Sequence, residues 1–451
     1  MRILLIERLN WFSLLLALQI LLVFSPASNA NAQTAVIDSS TMYQTIDGFG
    51  ASTGWIEGNA NLNSSQAAAY FSSSTGIGLS WIRIQDCGSV SFCPGGYGTT
   101  NTPDLQTLKY AVANGAKVLI SLDPAAGDSS QWSAQSTYAV NKLNYLAGQG
   151  VPVSEVSPIN EPSNANSFTN SDIDGLVKVM GPALSAAGYG SVGITIPEWE
   201  SQFSTDFYSA CLGDSTCASY VNIGSEHGYA TWPFASGGGQ FTPAPGIFGS
   251  RHIWQTEVND SISKTYTCNG NQLAPYDPSI ADGIAWAENI WDFLTGQNGS
   301  MWMYWNLESG YSPSCNDGLA DNAFNPAKRF YTLGNYSKFV RPGQVRIAAT
   351  GNPQTNVYVA AFKDTTTGAF EIVAINANSN SVSQSYDLSG LSANSVTPYV
   401  TDANNNLQSQ AAVAVTGGTF TATLNASSVT TFVSSGGGPG APTNLVGSVI
   451  Q

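Results

Sequence analysis

Charged residues are scarce in this chain of 451 residues, and positive charge is the scarcer sign. Lys and Arg together number 15 against 30 Asp and Glu, which gives a formal net charge of -15 at pH 7. A surface this acidic repels phosphate backbones, so we expect no nucleic-acid partner. Aromatic residues, by contrast, make up 11% of the chain. Flat aromatic faces combined with uncharged hydrogen-bonding groups suit neutral sugars.

Long apolar runs are missing beyond the N-terminal end of the sequence. There, residues 11–24 form an apolar stretch that follows Arg2 and Arg8 and precedes the small-residue site Ala30-Asn31-Ala32. This is the layout of a removable signal peptide, and the stretch is too short for a membrane span. We therefore expect residues 1–32 to be removed and the mature protein to be secreted, without a membrane partner.

Histidine is also rare, since His227 and His252 are the only two in the chain. No pair of cysteines has the C-x-x-C spacing of a zinc site, and we therefore expect no metal. An even number of cysteines in an exported chain favours disulfides instead. Other pairings are open, but the simplest joins sequence neighbours: Cys87 with Cys93, Cys211 with Cys217, and Cys268 with Cys315.

No glycine-rich phosphate loop follows the first apolar run, which disfavours a nucleotide-binding doubly wound sheet. Short apolar runs instead alternate with helical patterns, as in a parallel sheet with crossover helices. The runs span residues 46–49, 79–84, 118–122, 153–159, 192–196, 221–223, 253–256 and 301–305, and the clearest helical patterns span 104–114, 137–150, 172–187 and 280–295. These units predict an α/β fold, a (β/α)8 TIM barrel over residues 48–341.

The pattern changes after residue 341. Short runs separated by Asn, Gly, Ser and Thr predict a C-terminal side β-sandwich domain over residues 342–433, with strands at 357–362, 370–375, 396–401, 419–424 and 429–433. Residues 33–47 precede the barrel, and we expect them to add a strand to this sandwich. Residues 434–451 are interpreted as a Gly/Ser linker followed by a fragment that is similar to the start of a fibronectin type III module.

Two acidic residues lie at the ends of predicted barrel strands. Glu161 follows the fourth strand in Asn160-Glu161-Pro162, and Glu257 ends the seventh in Trp254-Gln255-Thr256-Glu257. Active sites of TIM barrels lie at the carboxyl ends of the strands, where strands four and seven face each other. Retaining hydrolysis of a glycosidic bond requires two carboxyls about 5 to 5.5 Å apart. Each glutamate alone could be a solvated carboxylate in a turn or at the surface, but both together favour a glycosidase.

These motifs resemble those of glycoside hydrolase family 30, and the resemblance extends over almost the whole mature length. It is carried further by Gln44-Thr45-Ile46-Asp47-Gly48-Phe49-Gly50, Gly334-Asn335-Tyr336-Ser337-Lys338-Phe339-Val340 and Arg341-Pro342-Gly343. The resemblance implies a retaining glycoside hydrolase with Glu161 as acid/base and Glu257 as nucleophile. No cofactor is expected, because carboxylates alone supply acid, base and nucleophile.

Substrate-binding residues are expected at other strand ends. Asn160, beside the acid, is suited to hold the hydroxyl next to the reacting carbon. The resemblance implies that Arg83 orients the nucleophile, although a barrel-rim ion pair is the alternative. The other residues that it implies are His227 and Tyr229 after strand six, Trp305 after strand eight as a stacking floor, and Trp55 after strand one as a lesser platform. We interpret Glu198 and Glu226 as polar support.

The implied substrate is a polysaccharide, the β-1,4-xylan of the family's bacterial endo-xylanase branch. Glucuronate-dependent members of that branch carry an arginine after strand eight, where this chain has Asn306-Leu307-Glu308-Ser309-Gly310-Tyr311. We therefore expect an endo-xylanase that does not depend on glucuronate. We also expect it to be a monomer. The segment 123–128 also departs from the family's pattern, so endo-β-1,6-galactanase and β-1,6-glucanase remain alternatives. A non-catalytic carbohydrate-binding protein on a barrel scaffold is the alternative from another class.

Overall fold

Eight parallel strands form a closed sheet in the computed structural model, which describes residues 33–54, 61–87, 104–123, 129–162, 168–201, 203, 206–229, 241–260, 268, 273–310 and 312–435. After β1 (Ala35–Thr45), the barrel strands are β2 (Gly48–Ser52), β3 (Trp81–Cys87), β4 (Lys117–Asp123), β5 (Glu155–Ser157), β6 (Gly193–Trp199), β7 (Val221–His227), β8 (His252–Glu257) and β9 (Met301–Glu308). Strand β9 pairs with both β8 and β2, which closes the sheet. The predicted (β/α)8 barrel is confirmed.

Helices cover the outside of the barrel and contribute apolar side chains to the core that surrounds its strands. They are α1 (Ser64–Phe71), α2 (Leu105–Ala113), α3 (Trp132–Gly148), α4 (Asn170–Ala186), α5 (Ser209–Gly213), α6 (Ser215–Ala218), α7 (Ile280–Gly296) and α8 (Lys328–Ser337). Capping boxes fix where two of them begin: Asn63 with Gln66 before α1, and Thr169 with Asp172 before α4. Within the described ranges, no helix combines the length and the apolar character that a membrane crossing requires.

A layer of apolar side chains fills the barrel below the carboxyl ends of its strands. Trp81, Leu119, Trp254 and Met303 belong to one buried cluster, in which the rings of Trp81 and Trp254 lie 4.8 Å apart edge to face. Trp81 stands two residues before Arg83 on β3, and alternate residues of a strand point to the same face. This packed layer therefore supports the polar side chains above it.

A second sheet forms the side domain. Besides β1, it contains β11 (Val345–Ala349), β12 (Val357–Lys363), β13 (Phe370–Asn376), β14 (Val382–Ser389), β15 (Ser395–Thr401), β16 (Gln408–Ser409), β17 (Val413–Ala414), β18 (Thr419–Leu424) and β19 (Ser428–Ser434), whereas β10 (Gly318–Ala320) pairs with β9 of the barrel. Strand β1 lies between β11 and β14. The sheet curls until Tyr386 of β14 lies 5.3 Å from Phe432 of β19, ring to ring. The predicted side β-domain is confirmed, as one curled sheet.

The side domain packs against the last two helices of the barrel. Asn335 of α8 donates to the carbonyl of Tyr399 at 2.9 Å, and its own carbonyl accepts from the Thr431 hydroxyl at 2.6 Å. Trp291 of α7 donates to the carbonyl of Val359 at 3.0 Å. These hydrogen bonds join α7 and α8 to strands β12, β15 and β19. The predicted signal peptide and most of the predicted C-terminal linker lie outside the described residues.

Candidate active site

The fourth barrel strand brings Asn160 and Glu161 to the rim at the carboxyl ends. The N–H of Asn160 donates to the carbonyl of Leu122 at 2.8 Å, and the N–H of Glu161 donates to the carbonyl of Glu198 at 3.1 Å. Glu161 has a φ of 44°, in the left-handed region that is uncommon for residues other than glycine. These backbone contacts fix the direction of the Glu161 carboxyl, and its side chain is 15% exposed.

Glu257 ends β8 and is held by one donor on each carboxylate oxygen. Its Oε1 accepts from the Tyr229 hydroxyl at 2.7 Å, and its Oε2 accepts from Arg83 Nη1 at 2.8 Å. The side chain is only 6% exposed. Because both oxygens are hydrogen-bonded, the carboxylate has a fixed orientation before any substrate binds.

The two carboxyl groups lie close together across the barrel mouth. One oxygen of Glu161, one oxygen of Glu257 and a ring nitrogen of His227 all lie within 4.8 Å of one another. His227 Nδ1 is 2.8 Å from Glu161 Oε1 and 3.7 Å from Glu257 Oε1. Carboxyl groups are about 5 to 5.5 Å apart in retaining glycosidases and about 6.5 to 9.5 Å apart in inverting ones. The spacing therefore fits direct attack on a sugar better than attack by an interposed water.

Carboxylates and an imidazole are also ligands that metal ions accept. In this cluster, however, the Arg83 guanidinium already supplies positive charge 2.8 Å from Glu257 and would repel a cation. A second group of potential ligands consists of Asp174, Cys211 and Cys217. Its two sulfurs are joined to each other in a disulfide and offer no thiolate. The Arg83 charge in the first group and the disulfide in the second therefore both argue against a metal site.

Arg83 connects several of the predicted residues. Besides its contact with Glu257, it donates from Nη2 to Asn160 Oδ1 at 2.7 Å and from Nε to Glu198 Oε1 at 3.1 Å. Its side chain is fully buried, and its guanidinium carbon lies 5.9 Å from the centre of the Trp305 ring. The structure thus brings Arg83, Asn160, Glu257 and Trp305 together at one end of the barrel.

Sequence reasoning assigned Glu198 only to polar support and overlooked Ser121. The Glu198 carboxylate contacts Arg83 and accepts a hydrogen bond from the Ser121 hydroxyl, and the Glu198 N–H donates to Ser225 Oγ at 3.1 Å. Both Glu198 and Ser121 are fully buried. The signal that could have found them was their position near the carboxyl ends of strands, where TIM barrels gather functional side chains.

Burial and charge act against each other at the ionisable groups. Burial raises the pKa of Glu257 above its ordinary value, although His227 and Arg83 favour the charged form. Burial alone would lower the pKa of His227, but the nearby carboxylates, that of Glu257 first, raise it overall. Burial would raise the pKa of Glu198, yet Arg83 and His227 outweigh it, so this pKa lies below its ordinary value. Glu198 is therefore ionised beside Arg83.

Three predicted residues remain, namely Trp305, Glu226 and Trp55. Trp305 is 8% exposed, beside Arg83. Glu226 is fully buried and accepts from the backbone N–H of Phe203 at 3.0 Å, and burial raises its pKa to about 8. Glu226 is therefore mainly neutral at pH 7. Trp55 lies outside the described residues.

Two of the predicted disulfides are confirmed. Cys211 is bonded to Cys217, and Cys268 is bonded to Cys315. The second bond links the chain that follows β8 to the chain that follows β9, near the cleft. Cys93 is outside the described residues, and so is the predicted bond between Cys87 and Cys93.

Proteins similar to this chain are found by sequence and by structure. No family model matches the sequence. The glucuronoxylanase XynC of Bacillus subtilis is 30% identical over 351 residues, which cover 73% of this chain and 76% of the relative. The glycoside hydrolase family 30 subfamily 8 xylanase Xyn30A from Clostridium acetobutylicum has a TM-score of 0.72 at 26% identity, over 89% of this chain and 99% of that chain. A GH30 endoxylanase from Clostridium papyrosolvens gives the same values.

Proposed function

The chain belongs to glycoside hydrolase family 30, and we propose from this that it is a retaining endo-β-1,4-xylanase with Glu161 as acid/base and Glu257 as nucleophile. One observation carries the proposal of mechanism. An oxygen of Glu161 and an oxygen of Glu257 lie within 4.8 Å of each other at the carboxyl ends of the barrel strands. This spacing lets the two carboxyls act on opposite sides of one glycosidic bond.

The reaction has two steps. First, a Glu257 oxygen bonds to the anomeric carbon, the glycosidic C–O bond breaks, and the leaving oxygen takes the proton of Glu161. In the second step, Glu161 removes a proton from a water molecule, the water oxygen bonds to the anomeric carbon, and Glu257 leaves as a carboxylate. His227, at 2.8 Å from Glu161, keeps this carboxyl oriented in both steps.

Substrate binding is assigned to residues around the two carboxyls. Trp305 would stack against the reacting sugar, and Trp55 would provide a further platform. Asn160, whose Oδ1 accepts from Arg83 at 2.7 Å, has its amide N–H groups available for the sugar hydroxyl beside the reacting carbon. A contact with this hydroxyl can strengthen as charge develops in the transition state.

The relatives support xylan as the substrate, since their names describe a glucuronoxylanase and xylanases. This chain has no arginine in the segment 306–311 that follows the eighth strand. Glu308 lies there instead, and burial raises its pKa to about 7, so it becomes negative as the pH rises above neutral. A negative group here would repel a glucuronate, and we therefore propose that cleavage does not depend on glucuronate side groups.

The cellular setting is part of the same proposal. The two disulfides are typical of oxidising compartments, and the described residues contain no helix that could cross a membrane. The disulfides support secretion of an enzyme that acts on an extracellular polysaccharide, and we propose that it acts as a monomer.

The substrate is tested with a panel of glucuronoxylan, undecorated β-1,4-xylan, β-1,6-glucan and arabinogalactan, with linkage analysis of the products. We expect both xylans to be cleaved at similar rates and to yield β-1,4-linked oligosaccharides. Strict dependence on glucuronate would contradict the proposed specificity. Cleavage of only β-1,6-glucan or arabinogalactan would replace xylan by one of the β-1,6-linked substrates.

Catalysis is distinguished from mere binding by Glu161→Gln and Glu257→Gln. Each variant should lose at least about a thousandfold in turnover of the substrate, because it removes the acid/base or the nucleophile. Binding of the polysaccharide, measured by affinity electrophoresis, should persist in both. Unchanged turnover in both variants would disprove the catalytic assignment, and a pure binding protein would show no turnover in any form.

A further inference from the structure

Glu198 is linked to both proposed catalytic residues, to Glu257 through Arg83 and to Glu161 through its backbone, although its side chain is buried. Its carboxylate accepts from Arg83 at 3.1 Å, and Arg83 donates in turn to Glu257 at 2.8 Å. Its backbone carbonyl accepts from the N–H of Glu161 at 3.1 Å. The Glu198 side chain is 0% exposed. It therefore cannot contact a sugar, and any influence on the reaction must pass through these neighbours.

Several contacts hold Glu198 in an unfavourable backbone conformation. Its φ is 48°, which is strained for a residue that has a Cβ. The Ser225 hydroxyl accepts from its N–H at 3.1 Å, and the Ser121 hydroxyl donates to its carboxylate. The result is that Arg83 is bonded to a carboxylate on each side. Its single positive charge is shared between Glu198 and Glu257.

We propose that Glu198 is a positioning residue that keeps Glu257 nucleophilic by sharing the charge of Arg83. The proposal rests on the roles proposed above for Glu161 and Glu257. With Glu198 present, Arg83 orients Glu257 but only partly neutralises it. Without Glu198, the full guanidinium charge acts on Glu257, which becomes a weaker base, a weaker nucleophile and a better leaving group.

The two halves of the reaction respond differently to this change. In the first half, Glu257 donates an electron pair to the anomeric carbon while the leaving oxygen takes the Glu161 proton. A less basic Glu257 slows this bond formation. In the second half, water bonds to the anomeric carbon, gives its proton to Glu161, and displaces Glu257 as a carboxylate. A better leaving group does not slow this step.

The pH dependence follows from the charged and titratable groups around Glu257. These groups are Arg83 on β3, Glu161 after β5, Glu198 on β6 through Arg83, His227 on β7 and Tyr229 after β7. Removing the negative charge of Glu198 lowers the pKa of Glu257. The acid limb of the kcat/KM profile, where Glu257 becomes protonated, should therefore move to lower pH by roughly one unit.

Glu198→Gln tests the proposal, because it removes the charge and preserves the size of the side chain. The probe is a dinitrophenyl xylobioside with fluorine at the second carbon of the reacting sugar, which forms a slowly hydrolysed glycosyl-enzyme. We expect inactivation, which reports the first step, to slow by about 10- to 100-fold. Reactivation in water, which reports the second step, should be unchanged or faster. If both rates fall together, or if the acid limb stays in place, the proposal is overturned.

Two further variants complete the test. Glu155→Gln is the matched control, because Glu155 is a buried glutamate at the opposite end of the barrel. Burial raises the pKa of Glu155 to about 8, so glutamine resembles its neutral form. Glu155→Gln should change neither the inactivation rate nor the reactivation rate. Ser121→Ala keeps the charge of Glu198 but removes a donor that competes with Arg83 for its carboxylate. Arg83 then acts less on Glu257, so the acid limb should move slightly to higher pH, which tests the proposal even if Glu198→Gln does not fold. No shift, or a shift to lower pH, would overturn the proposal. Wild-type protein that the probe does not inactivate would overturn the proposed function and, with it, this inference.

Discussion

Glu161 and Glu198 both have left-handed backbone conformations, with φ angles of 44° and 48°. Such a conformation costs on the order of 1 to 3 kcal/mol for a residue other than glycine. The N–H of Glu161 donates to the carbonyl of Glu198 at 3.1 Å, so the two strained positions support each other. The placement of two carboxyls, and not local stability, therefore explains glutamate at both positions.

Tyr229 donates to Oε1 of Glu257, whereas Arg83 donates to Oε2, so a Tyr229 variant provides a second test of the role of Glu257. Burial raises the pKa of Glu257 most, whereas the Tyr229 hydroxyl, at 2.7 Å, lowers it. In Tyr229→Phe this pKa rises, so the acid limb of kcat/KM should move to higher pH, opposite to Glu198→Gln. We also expect kcat/KM to fall about tenfold, because Glu257 loses one of the two donors that fix its orientation, and this loss outweighs its gain in basicity. Tyr189→Phe, which removes a hydroxyl bonded to Asn144 away from the cleft, is the control. An unshifted acid limb in Tyr229→Phe would contradict the role of Glu257.

Much of the site could be predicted because the carboxyl ends of parallel strands meet at one end of a barrel. The positions of Glu161 and Glu257 follow from strand ends, whereas Arg83 was implied by the resemblance to the family and lies inside β3, four residues before its end. The contact between Arg83 and Glu198 could not be predicted, because a place near a strand end does not indicate which carboxylates a cation contacts. It also depends on the left-handed backbone of Glu198, which no pattern of residue types indicates.

The order of the barrel strands could also be predicted, but their ends could not. The predicted run spans residues 192–196 and stops before Pro197. Strand β6 instead continues to Trp199 through an irregularity in its pairing with β7. Similarly, β9 extends beyond Trp305 to Glu308, where it pairs with β10. The ends of β6 and β9 depend on pairing with other strands, so the local sequence pattern does not suffice to predict where these strands end.

The two disulfides should differ in their contribution to stability. The bond between Cys268 and Cys315 closes a sequence separation of 47 residues, whereas Cys211 and Cys217 are separated by 6. From the entropy of loop closure, removal of the long-range bond should cost roughly 4 kcal/mol and removal of the short-range bond roughly 2 kcal/mol. The double alanine variants of each pair, compared by denaturant unfolding, check this order. A greater loss from the Cys211 and Cys217 variant would contradict it.

Across the whole molecule, several buried carboxyls should make stability depend on pH. Burial raises the pKa of Glu155 and Glu371 to about 8, and that of Asp104 to about 7. A raised pKa in the folded state contributes stability that is complete below the unfolded pKa, near 4.5 for Glu, and is lost as the pH rises through the folded pKa. The melting temperature should therefore fall from pH 5 to pH 8, by an amount on the order of 5 °C.

Glu371→Gln provides the check on this pH dependence. Glutamine cannot ionise, so the variant should lose less stability than the wild type between pH 5 and pH 8. The melting temperatures of the variant and the wild type are measured by calorimetry at pH 5 and pH 8. A wild-type melting temperature that rises over this range would show that the buried carboxyls do not govern stability.

The central claim for the molecule as a whole is that its barrel brings two carboxyls close enough to act directly on one sugar linkage. Proton NMR of xylan or a xylo-oligosaccharide during the first minutes of cleavage reads the anomeric configuration of the new reducing end before mutarotation. We expect the β-anomer to appear first, as attack by Glu257 and then by water requires. If the α-anomer appears first, water attacks the sugar directly, and Glu257 is not the nucleophile.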